Sequence, residues 1–375
     1  MANPLVQLAR HGQSFWLDNI SRDLIASGRL SRLIEEDGLK GMTSNPAIFE
    51  KAIMGSTDYD DDIGLMAAQG RNAVEIYEAL AVADIRQAAD RLSAVYDATE
   101  GADGYVSLEV SPELADDTAG TVAEARRLWE EVDRGNVMIK VPATRAGIPA
   151  VRRLIGEGLN INVTLLFSRA VYETVAEAYI GGLEDRLAAG RAIGGTASVA
   201  SFFISRIDTL VDALLAEREA QADDPEVRAM IRGLIGKTAI ANGKTTYQLY
   251  KALYATPRWN ALAEKGARPQ RLLWASTSTK NPDYRDVLYV EELIGKDTIN
   301  TLPDETLGAF RDHGRLSDTL EAHIDEAGSV LANVEKAGIS MERVSDQLVE
   351  EGVMKFVDPF VKLMEAIEQK RLQPA

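Results

Sequence analysis

The sequence predicts an α/β protein built as a closed (β/α)8 TIM barrel with additional helices, and three observations point to this fold. Eight short apolar runs with strand-like alternation are spread along the 375 residues. Helical patterns separate consecutive runs, and strands that alternate with helices pair in parallel. The chain length fits one barrel with insertions, because α/β barrels reach this size as one unit.

The predicted strands share β-branched and apolar residues bounded by turn-forming residues. They lie at about residues 14–20, 39–46, 105–111, 137–144, 160–167, 198–206, 271–278 and 298–303. Successive side chains on a strand point to opposite faces. In the third run, Val106 and Leu108 therefore share an apolar face, whereas Glu109 lies on the other face.

The segments between the strands carry helical patterns. Helices are predicted at about residues 24–33, 117–133, 147–157 and 169–190, with longer helical excursions near 47–103 and 206–265. Three more helical segments form a predicted C-terminal appendage over residues 304–375. No repeat, low-complexity segment or linker-like composition divides the chain, so we predict a single barrel domain over residues 1–375.

Composition and charge restrict the function. A net charge of -17 argues against binding to nucleic acid or to an anionic membrane, which basic surfaces hold. The absence of cysteine excludes disulfides, thiolate metal sites and cysteine nucleophiles, and the three histidines are too scattered to suggest a metal site. Since the sequence shows no signal peptide and no apolar run of membrane-spanning length, we expect a soluble cytoplasmic protein. The oligomeric state is left open.

The fourth predicted strand is an apolar run with one lysine, Lys140. Alternation places Lys140 on the inner face, opposite Ile139 and Val141. Desolvation disfavours the charged form of an amine, and a neutral amine attacks a carbonyl to form a Schiff base. From this strand alone an alternative stays open, in which the ammonium reaches solvent or pairs with a carboxylate.

Seven predicted strands bring polar or ionisable side chains to one end of the barrel. If the apolar strand faces pack on the outer helices, the inward residues are Asp18, Asn45, Glu109, Lys140, Asn162, Thr164, Ser201 and Ser276. Barrel enzymes carry their chemistry at the carboxyl ends of the strands, and so many polar groups are costly to bury for stability alone. These residue types suit Schiff-base carbon–carbon bond chemistry, which needs no metal or organic cofactor.

Four motifs on these strands resemble the transaldolases, the Schiff-base enzymes of the pentose phosphate pathway. They are residues 43–46 (TSNP), 139–144 (IKVPAT), 160–168 (NINVTLLFS) and 201–206 (SFFISR), and the resemblance extends from about residue 18 to residue 302. It implies a (β/α)8 barrel in which Lys140 binds the dihydroxyacetone part of sedoheptulose 7-phosphate or fructose 6-phosphate. The three-carbon unit then passes to erythrose 4-phosphate or glyceraldehyde 3-phosphate.

The resemblance also implies roles for individual residues. Asp18 is expected to handle the hydroxyl proton during bond cleavage, and Glu109 and Thr164 to position the catalytic water. The residues expected to hold the dihydroxyacetone hydroxyls are Asn45, Asn162 and Ser201, with Phe203 beside them. Arg206 is expected to bind phosphate, because its guanidinium supplies local positive charge in an acidic protein.

The segment after the seventh strand departs from the family pattern. Many transaldolases have Ser-Phe-Arg there, and that arginine binds phosphate, whereas this chain has Ser276-Thr277-Ser278-Thr279-Lys280. We predict that Ser276 contacts the substrate and that Lys280 supplies the second phosphate ligand from a slightly different position.

Three other functions are alternatives to transaldolase activity. A fructose 6-phosphate aldolase would release free dihydroxyacetone, but the long chain and Glu109 favour transfer. A pyridoxal phosphate enzyme would use Lys140 differently, and the sequence shows no Gly-rich phosphate loop paired with an acid for the pyridinium nitrogen. A barrel that only binds sugar phosphates would have no use for a desolvated lysine beside two carboxylates.

Overall fold

The computed structural model describes residues 3–372, and its strands form a closed parallel barrel in which each strand pairs with the next and β8 pairs with β1. The strands are β1 (Gln13–Leu17), β2 (Gly41–Met42), β3 (Tyr105–Glu109), β4 (Val137–Pro142), β5 (Ile161–Leu166), β6 (Ser198–Phe203), β7 (Arg271–Ala275) and β8 (Thr298–Leu302). Each coincides with a predicted strand, so the predicted (β/α)8 barrel is confirmed.

The helices surround the barrel and fill the predicted excursions. They are α1 (Pro4–Leu8), α2 (Arg22–Ala26), α3 (Arg29–Asp37), α4 (Pro46–Met54), α5 (Asp60–Ala68), α6 (Ala73–Ala98), α7 (Thr118–Val132), α8 (Gly147–Glu157), α9 (Arg169–Ala188), α10 (Ser205–Gln221), α11 (Pro225–Arg232), α12 (Thr238–Leu253), α13 (Pro257–Ala263), α14 (Leu288–Glu292), α15 (Asp304–His313), α16 (Ile324–Lys336) and α17 (Met341–Leu372). Short 3₁₀ helices lie at Ala9–His11 and Pro112–Leu114. Within residues 3–372, no helix combines the length and the apolar character needed to cross a membrane.

The barrel interior is closed below the strand ends by packed side chains. Trp16 on β1 is fully buried, and its indole Nε1 donates a hydrogen bond to Asp103 over 3.0 Å. A Cβ atom at Gly41 would lie 2.5 Å from the Trp16 ring, so only glycine fits at the start of β2. This layer packs the barrel interior below the polar residues at the carboxyl ends of the strands.

Strand β5 is irregular next to the cavity. Its pairing with β6 shifts register between Val163 and Leu166, and Leu165 has a φ of 64°. This left-handed conformation is uncommon for a residue with a branched side chain. Regular strand geometry therefore ends at Leu165, whose side chain packs near Gly352 of α17.

The last helix reaches the carboxyl ends of the strands. Helix α17 packs against α4, α6, α10 and β5. Its residues Gly352, Phe356 and Phe360 recur every four positions, so they share one face, and all three are buried. A Cβ atom at Gly352 would lie 2.8 Å from Leu165, which explains why the helix approaches the strands at a glycine. The predicted C-terminal appendage thus includes a helix that covers part of the barrel end.

Candidate active site

A cavity of about 190 Å³, the mouth cavity, lies at the carboxyl ends of the strands. It is lined by Asp18, Thr43, Asn45, Lys140, Thr164, Ser201, Phe203, Arg206, Ala275, Ser276, Ser278, Lys280, Thr301, Pro303 and Phe356. Most of the site residues predicted from the sequence are among them. The other two, Glu109 and Asn162, lie beneath the lining, in contact with residues that belong to it.

Lys140 lies at the floor of the mouth cavity. The inward side of β4 carries it, and the residue is only 4% exposed. Its Nζ donates a hydrogen bond to the Ser44 carbonyl over 3.1 Å and lies 3.5 Å from Glu109 Oε2. The ring centroid of Phe356 lies 5.4 Å from Nζ, within the range of a cation–π contact. The amine is therefore oriented by a carbonyl, a carboxylate and an aromatic face.

Glu109 stands beside Lys140 because the register of β3 and β4 pairs these two residues directly. Burial raises the pKa of Glu109 from its ordinary value of 4.5 to about 7, although the charge of Lys140 opposes the shift. Among the described residues, neither Glu109 Oε2 nor the buried hydroxyl of Thr164 has a hydrogen-bond partner. Two unsatisfied polar groups near one amine are suited to holding a small polar molecule or a reacting group.

Asp18 follows β1 and lines the opposite side of the mouth cavity. Its Oδ1 accepts a hydrogen bond from the Thr43 hydroxyl over 2.6 Å, and that hydroxyl lies 2.7 Å from the hydroxyl of Thr301. Burial raises the pKa of Asp18, while Lys140, the Thr43 hydrogen bond and Arg206 lower it. A buried carboxyl whose pKa is raised in this way is suited to act as a general acid or base.

A buried hydrogen-bond chain supports one wall. The Ser201 hydroxyl donates to Asn162 Oδ1 over 2.7 Å, and Asn162 Nδ2 donates to the Ser107 hydroxyl over 3.0 Å. Asn162 is fully buried and does not line the mouth cavity, so it reaches the cavity through Ser201. Its expected direct contact with substrate hydroxyls stays a prediction.

Asn45 has a structural task in addition to its place in the lining. Its Oδ1 accepts a hydrogen bond from the Ile48 backbone N–H over 3.0 Å and so caps the start of α4. An asparagine at this position satisfies a helix donor that would otherwise lack a partner. Because Oδ1 holds the cap, the amide NH₂ of Asn45 is the group left to donate toward the cavity.

Positive charge lies at the outer side of the mouth cavity. Arg206 is in the first turn of α10, its guanidinium carbon lies 4.9 Å from the Phe203 ring centroid, and its Nη1 is buried without a hydrogen-bond partner among residues 3–372. Burial lowers the pKa of Arg206, against the charges of Asp18 and Glu351, but a guanidinium stays charged in proteins. Lys280 is exposed, and its Nζ donates to the Ser278 hydroxyl over 2.8 Å.

The loop after β7 is fixed by a strained residue. Ser276 has a φ of 55°, and its hydroxyl lies 2.9 Å from that of Ser205 at the start of α10. The Ser205 backbone N–H also donates to the Ser276 carbonyl over 2.9 Å. These contacts tie the β7 loop to the helix that carries Arg206, so the two predicted phosphate-binding segments have a fixed relative position.

Several lining residues were not predicted, among them Thr43, Thr301 and Phe356. The inward alternation used for the other strands also applies to β8 and would have indicated Thr301, since it lies next to the end of that strand. Thr43 belongs to the TSNP motif but was not assigned a role. Phe356 had no local signal, because its helix shows only an apolar face with no indication of the surface it covers.

Comparison with known proteins gives consistent matches. A family model described as "Transaldolase/Fructose-6-phosphate aldolase" matches residues 15–367. A transaldolase of Trichodesmium erythraeum is 48% identical over 372 residues, covering 99% of this chain and 98% of that protein. A protein named transaldolase 2 from Nostoc punctiforme is 49% identical over 98% of this chain and 97% of its own length. A transaldolase of Thiobacillus denitrificans is 48% identical over 96% of this chain and 98% of its own length.

Proposed function

Since the chain belongs to the transaldolase/fructose-6-phosphate aldolase family, we propose that Lys140 forms the Schiff base through which it transfers a dihydroxyacetone unit from a ketose phosphate to an aldose phosphate. The position of Lys140 supports the assignment, because it is a buried amine at the floor of a cavity between two acidic side chains. The other buried lysine in residues 3–372, Lys244, binds Glu292 and a backbone carbonyl away from this cavity.

Imine formation needs proton transfers at the Lys140 nitrogen and at the substrate carbonyl oxygen. The nitrogen attacks the carbonyl carbon, a carbinolamine forms, and its hydroxyl leaves as water. We assign these proton transfers to Glu109, which lies 3.5 Å from Nζ, working through a water that Thr164 helps to hold. A carboxyl with a pKa of about 7 exchanges protons readily in both directions near neutral pH.

Bond cleavage needs a base on the substrate hydroxyl next to the breaking carbon–carbon bond. The protonated imine on Lys140 accepts the electron pair, while Asp18 takes the hydroxyl proton and returns it when the acceptor aldehyde adds. The hydrogen bond from Thr43 to Asp18 supports this role, because it fixes the carboxylate orientation without neutralising its charge. Asn45 and Ser201 are assigned to bind the substrate hydroxyls, with Asn162 behind Ser201. Ser276 is assigned to contact the substrate as well.

Arg206 and Lys280 are assigned to the substrate phosphate. We expect Arg206→Ala to raise the Michaelis constant for phosphorylated substrates roughly 10-fold to 100-fold, since a charge-assisted contact contributes ~1.5–3 kcal/mol. Steady-state kinetics with fructose 6-phosphate and erythrose 4-phosphate measure this effect. Glyceraldehyde without a phosphate is the control acceptor, and Arg206→Lys is the matched variant that retains charge. An equal rise in the Michaelis constants of the phosphorylated and the unphosphorylated acceptor would contradict a phosphate contact.

Lys280 needs a separate test, because it is exposed and already bonded to Ser278. Lys280→Ala should raise the same Michaelis constant, but by less than Arg206→Ala, since solvent screens an exposed charge. The effect should weaken further at high salt. An unchanged constant at low salt would show that Lys280 is only a loop charge and that another residue completes the phosphate site.

The raised pKa of Glu109 predicts a pH-dependent stability difference. Its folded pKa of about 7 lies above the ordinary 4.5, so the folded protein binds this proton more strongly than the unfolded chain does. The contribution of Glu109 to the free energy of unfolding is therefore fully present below about pH 4.5 and falls as the pH rises through about 7. Glu109→Gln should gain stability relative to the parent chain over this range, which urea unfolding at several pH values measures. A difference independent of pH would contradict the burial of an ionisable carboxyl.

Release of free dihydroxyacetone is the second candidate activity, because the matching family model covers fructose-6-phosphate aldolase as well as transaldolase. The relatives that cover nearly all of the chain are named transaldolase, which favours transfer. Incubation with fructose 6-phosphate in the presence and absence of erythrose 4-phosphate separates the two. We expect rapid turnover only with the acceptor, and sustained release of dihydroxyacetone without it would favour the aldolase.

We further propose that the chain acts in the cytoplasm on sugar phosphates and binds neither nucleic acid nor membranes. The net charge of -17 supports this, because an acidic surface repels polyanions. Substrate phosphate is then attracted by Arg206 and Lys280 locally and not by the protein as a whole. Fractionation of cells and sedimentation with anionic vesicles test the two parts of this proposal.

A further inference from the structure

A second cavity, separate from the mouth cavity, is lined in part by Glu109. This outer cavity has a volume of about 130 Å³ and runs between α6, β3, α7 and α17. Its lining includes Tyr77, Glu78, Glu109, Glu124 and Phe360, and among the described residues it shares no lining residue with the mouth cavity. One water needs only ~10–15 Å³ of such space, so the outer cavity can hold several.

Glu109 connects the two cavities. It lines the outer cavity, while its Oε2 lies 3.5 Å from Nζ of Lys140, which lines the mouth cavity. The Glu109 side chain is 6% exposed, and Oε2 has no hydrogen-bond partner among residues 3–372. Oε2 is ion-paired with Lys140 but accepts no hydrogen bond from a described residue, and a water in the outer cavity can supply that donor.

Polar side chains form part of the lining of the outer cavity, between Glu109 and its rim. The Tyr77 ring is held edge-on between Phe49 and Phe360, at 5.8 and 5.6 Å. Beyond it lie Glu124, which accepts a hydrogen bond from the Ser111 backbone N–H over 3.0 Å, and Glu78. At the rim the side chains are exposed, with Val74 at 44%. The lining is mixed, with apolar side chains beside a tyrosine, a serine and four glutamates, and these polar members give water hydrogen-bond partners near an exposed rim.

The Schiff-base reaction releases one water and later consumes one. A sugar phosphate bound in the mouth cavity would block the exchange of this water with solvent through that cavity. The Lys140 nitrogen forms the C–N bond, the C–O bond breaks, and the oxygen leaves as water with one proton from the amine and one delivered through Glu109, which leaves the protonated imine; hydrolysis of the imine reverses this and consumes one water. A sugar phosphate bound between Lys140 and Arg206 would occupy the mouth cavity during both steps, and α17 covers part of the same end. Water must therefore leave and return elsewhere, or remain trapped beside the imine.

We propose that the outer cavity is the route by which water and protons exchange between solvent and Glu109 while a sugar phosphate occupies the mouth cavity. The proposal rests on the Schiff-base function assigned to Lys140. It divides the site into a substrate side, formed by the mouth cavity, and a water side, formed by the outer cavity. Glu109 is the residue through which the two sides communicate.

The test follows the oxygen atom of the substrate ketone. Fructose 6-phosphate is incubated with the full chain in water labelled with heavy oxygen, and mass spectrometry measures label at the ketone carbon for each Schiff-base cycle, corrected for the uncatalysed exchange. Cycles are counted by borohydride trapping at short times. If water exchanges through the outer cavity, the ketone re-formed by imine hydrolysis takes its oxygen from the solvent.

Two variants narrow the rim from opposite sides: Val74→Trp on α6 and Glu113→Trp on the 3₁₀ helix. Both positions are exposed, so both variants are expected to fold. Leu65→Trp is the matched control, because Leu65 is 60% exposed on α5 and lies outside both cavities. We expect the rim variants to lose most of the label per cycle while the control keeps it and trapping remains unchanged.

The outcomes separate this proposal from the function on which it rests. Label incorporation that is the same in the parent chain, the rim variants and the control would overturn the outer route. Retention of the original oxygen in the parent chain would also overturn it, since the water would then be trapped beside the imine. The absence of borohydride trapping in the parent chain would instead contradict the Schiff base itself.

Discussion

Replacement of Lys140 by arginine should abolish transfer between fructose 6-phosphate and erythrose 4-phosphate. Arginine keeps the positive charge and a similar length, but its guanidinium stays protonated and cannot act as the neutral nucleophile that forms an imine. The contact with Glu109 can persist, so we expect the fold to be retained while the rate falls to background. A coupled assay of glyceraldehyde 3-phosphate formation measures the loss, and thermal unfolding of the variant checks the fold.

Lys244 supplies a matched control for this experiment. It is also 4% exposed, and its Nζ donates to Glu292 over 3.2 Å, on the outside of the barrel. Lys244→Arg therefore repeats the same chemical change at an equally buried lysine. We expect it to leave transfer close to that of the parent chain. Activity of Lys140→Arg above a trace, or equal loss in both variants, would remove the support for Lys140 as the nucleophile.

Asp18→Asn and Glu109→Gln should both slow transfer strongly but should stop it at different steps. A general acid or base typically contributes ~10²-fold to 10⁴-fold in rate, so each loss should be large. With Asp18→Asn the imine should still form, because Glu109 and Lys140 are intact, and the uncleaved donor sugar should accumulate on Lys140. With Glu109→Gln imine formation itself should be slow, because the proton transfers at Nζ lose their nearest carboxyl.

Single-turnover mass spectrometry after borohydride reduction distinguishes the two variants. Asp18→Asn should show the full mass of the donor sugar on the peptide that contains Lys140, early and in high yield. Glu109→Gln should show little adduct at the same times. The division of labour between the two carboxyls would be wrong if both variants gave the same adduct at the same rate.

The alternation of side chains along strands was sufficient to predict the centre of the site. Lys140 and Glu109 are on different strands, yet each was expected to face inward, and the parallel register places them directly beside one another. Parallel strands bring their carboxyl ends to the same edge, so residues distant in sequence meet there. Alternation does not reveal where the backbone departs from a regular strand, as it does at Leu165, whose φ is 64°.

Contacts made across the barrel end were beyond this reasoning. Phe356 lies above Lys140 because α17 packs on α4, α6 and β5, and the apolar face of a helix does not reveal which surface it covers. Asn162 illustrates a finer limit. Its strand face was predicted from alternation, but its placement behind Ser201 depends on the register of β5 and β6, which a single sequence does not fix.

Borohydride reduction in the presence of fructose 6-phosphate tests the central claim most directly. The reagent reduces a protonated imine to a stable secondary amine, and peptide mass spectrometry then identifies the lysine that carries it. We predict one modified residue, Lys140, with labelling that requires the sugar phosphate and disappears in Lys140→Arg. Labelling at Lys244 or at a surface lysine, or the absence of sugar-dependent labelling, would contradict the account.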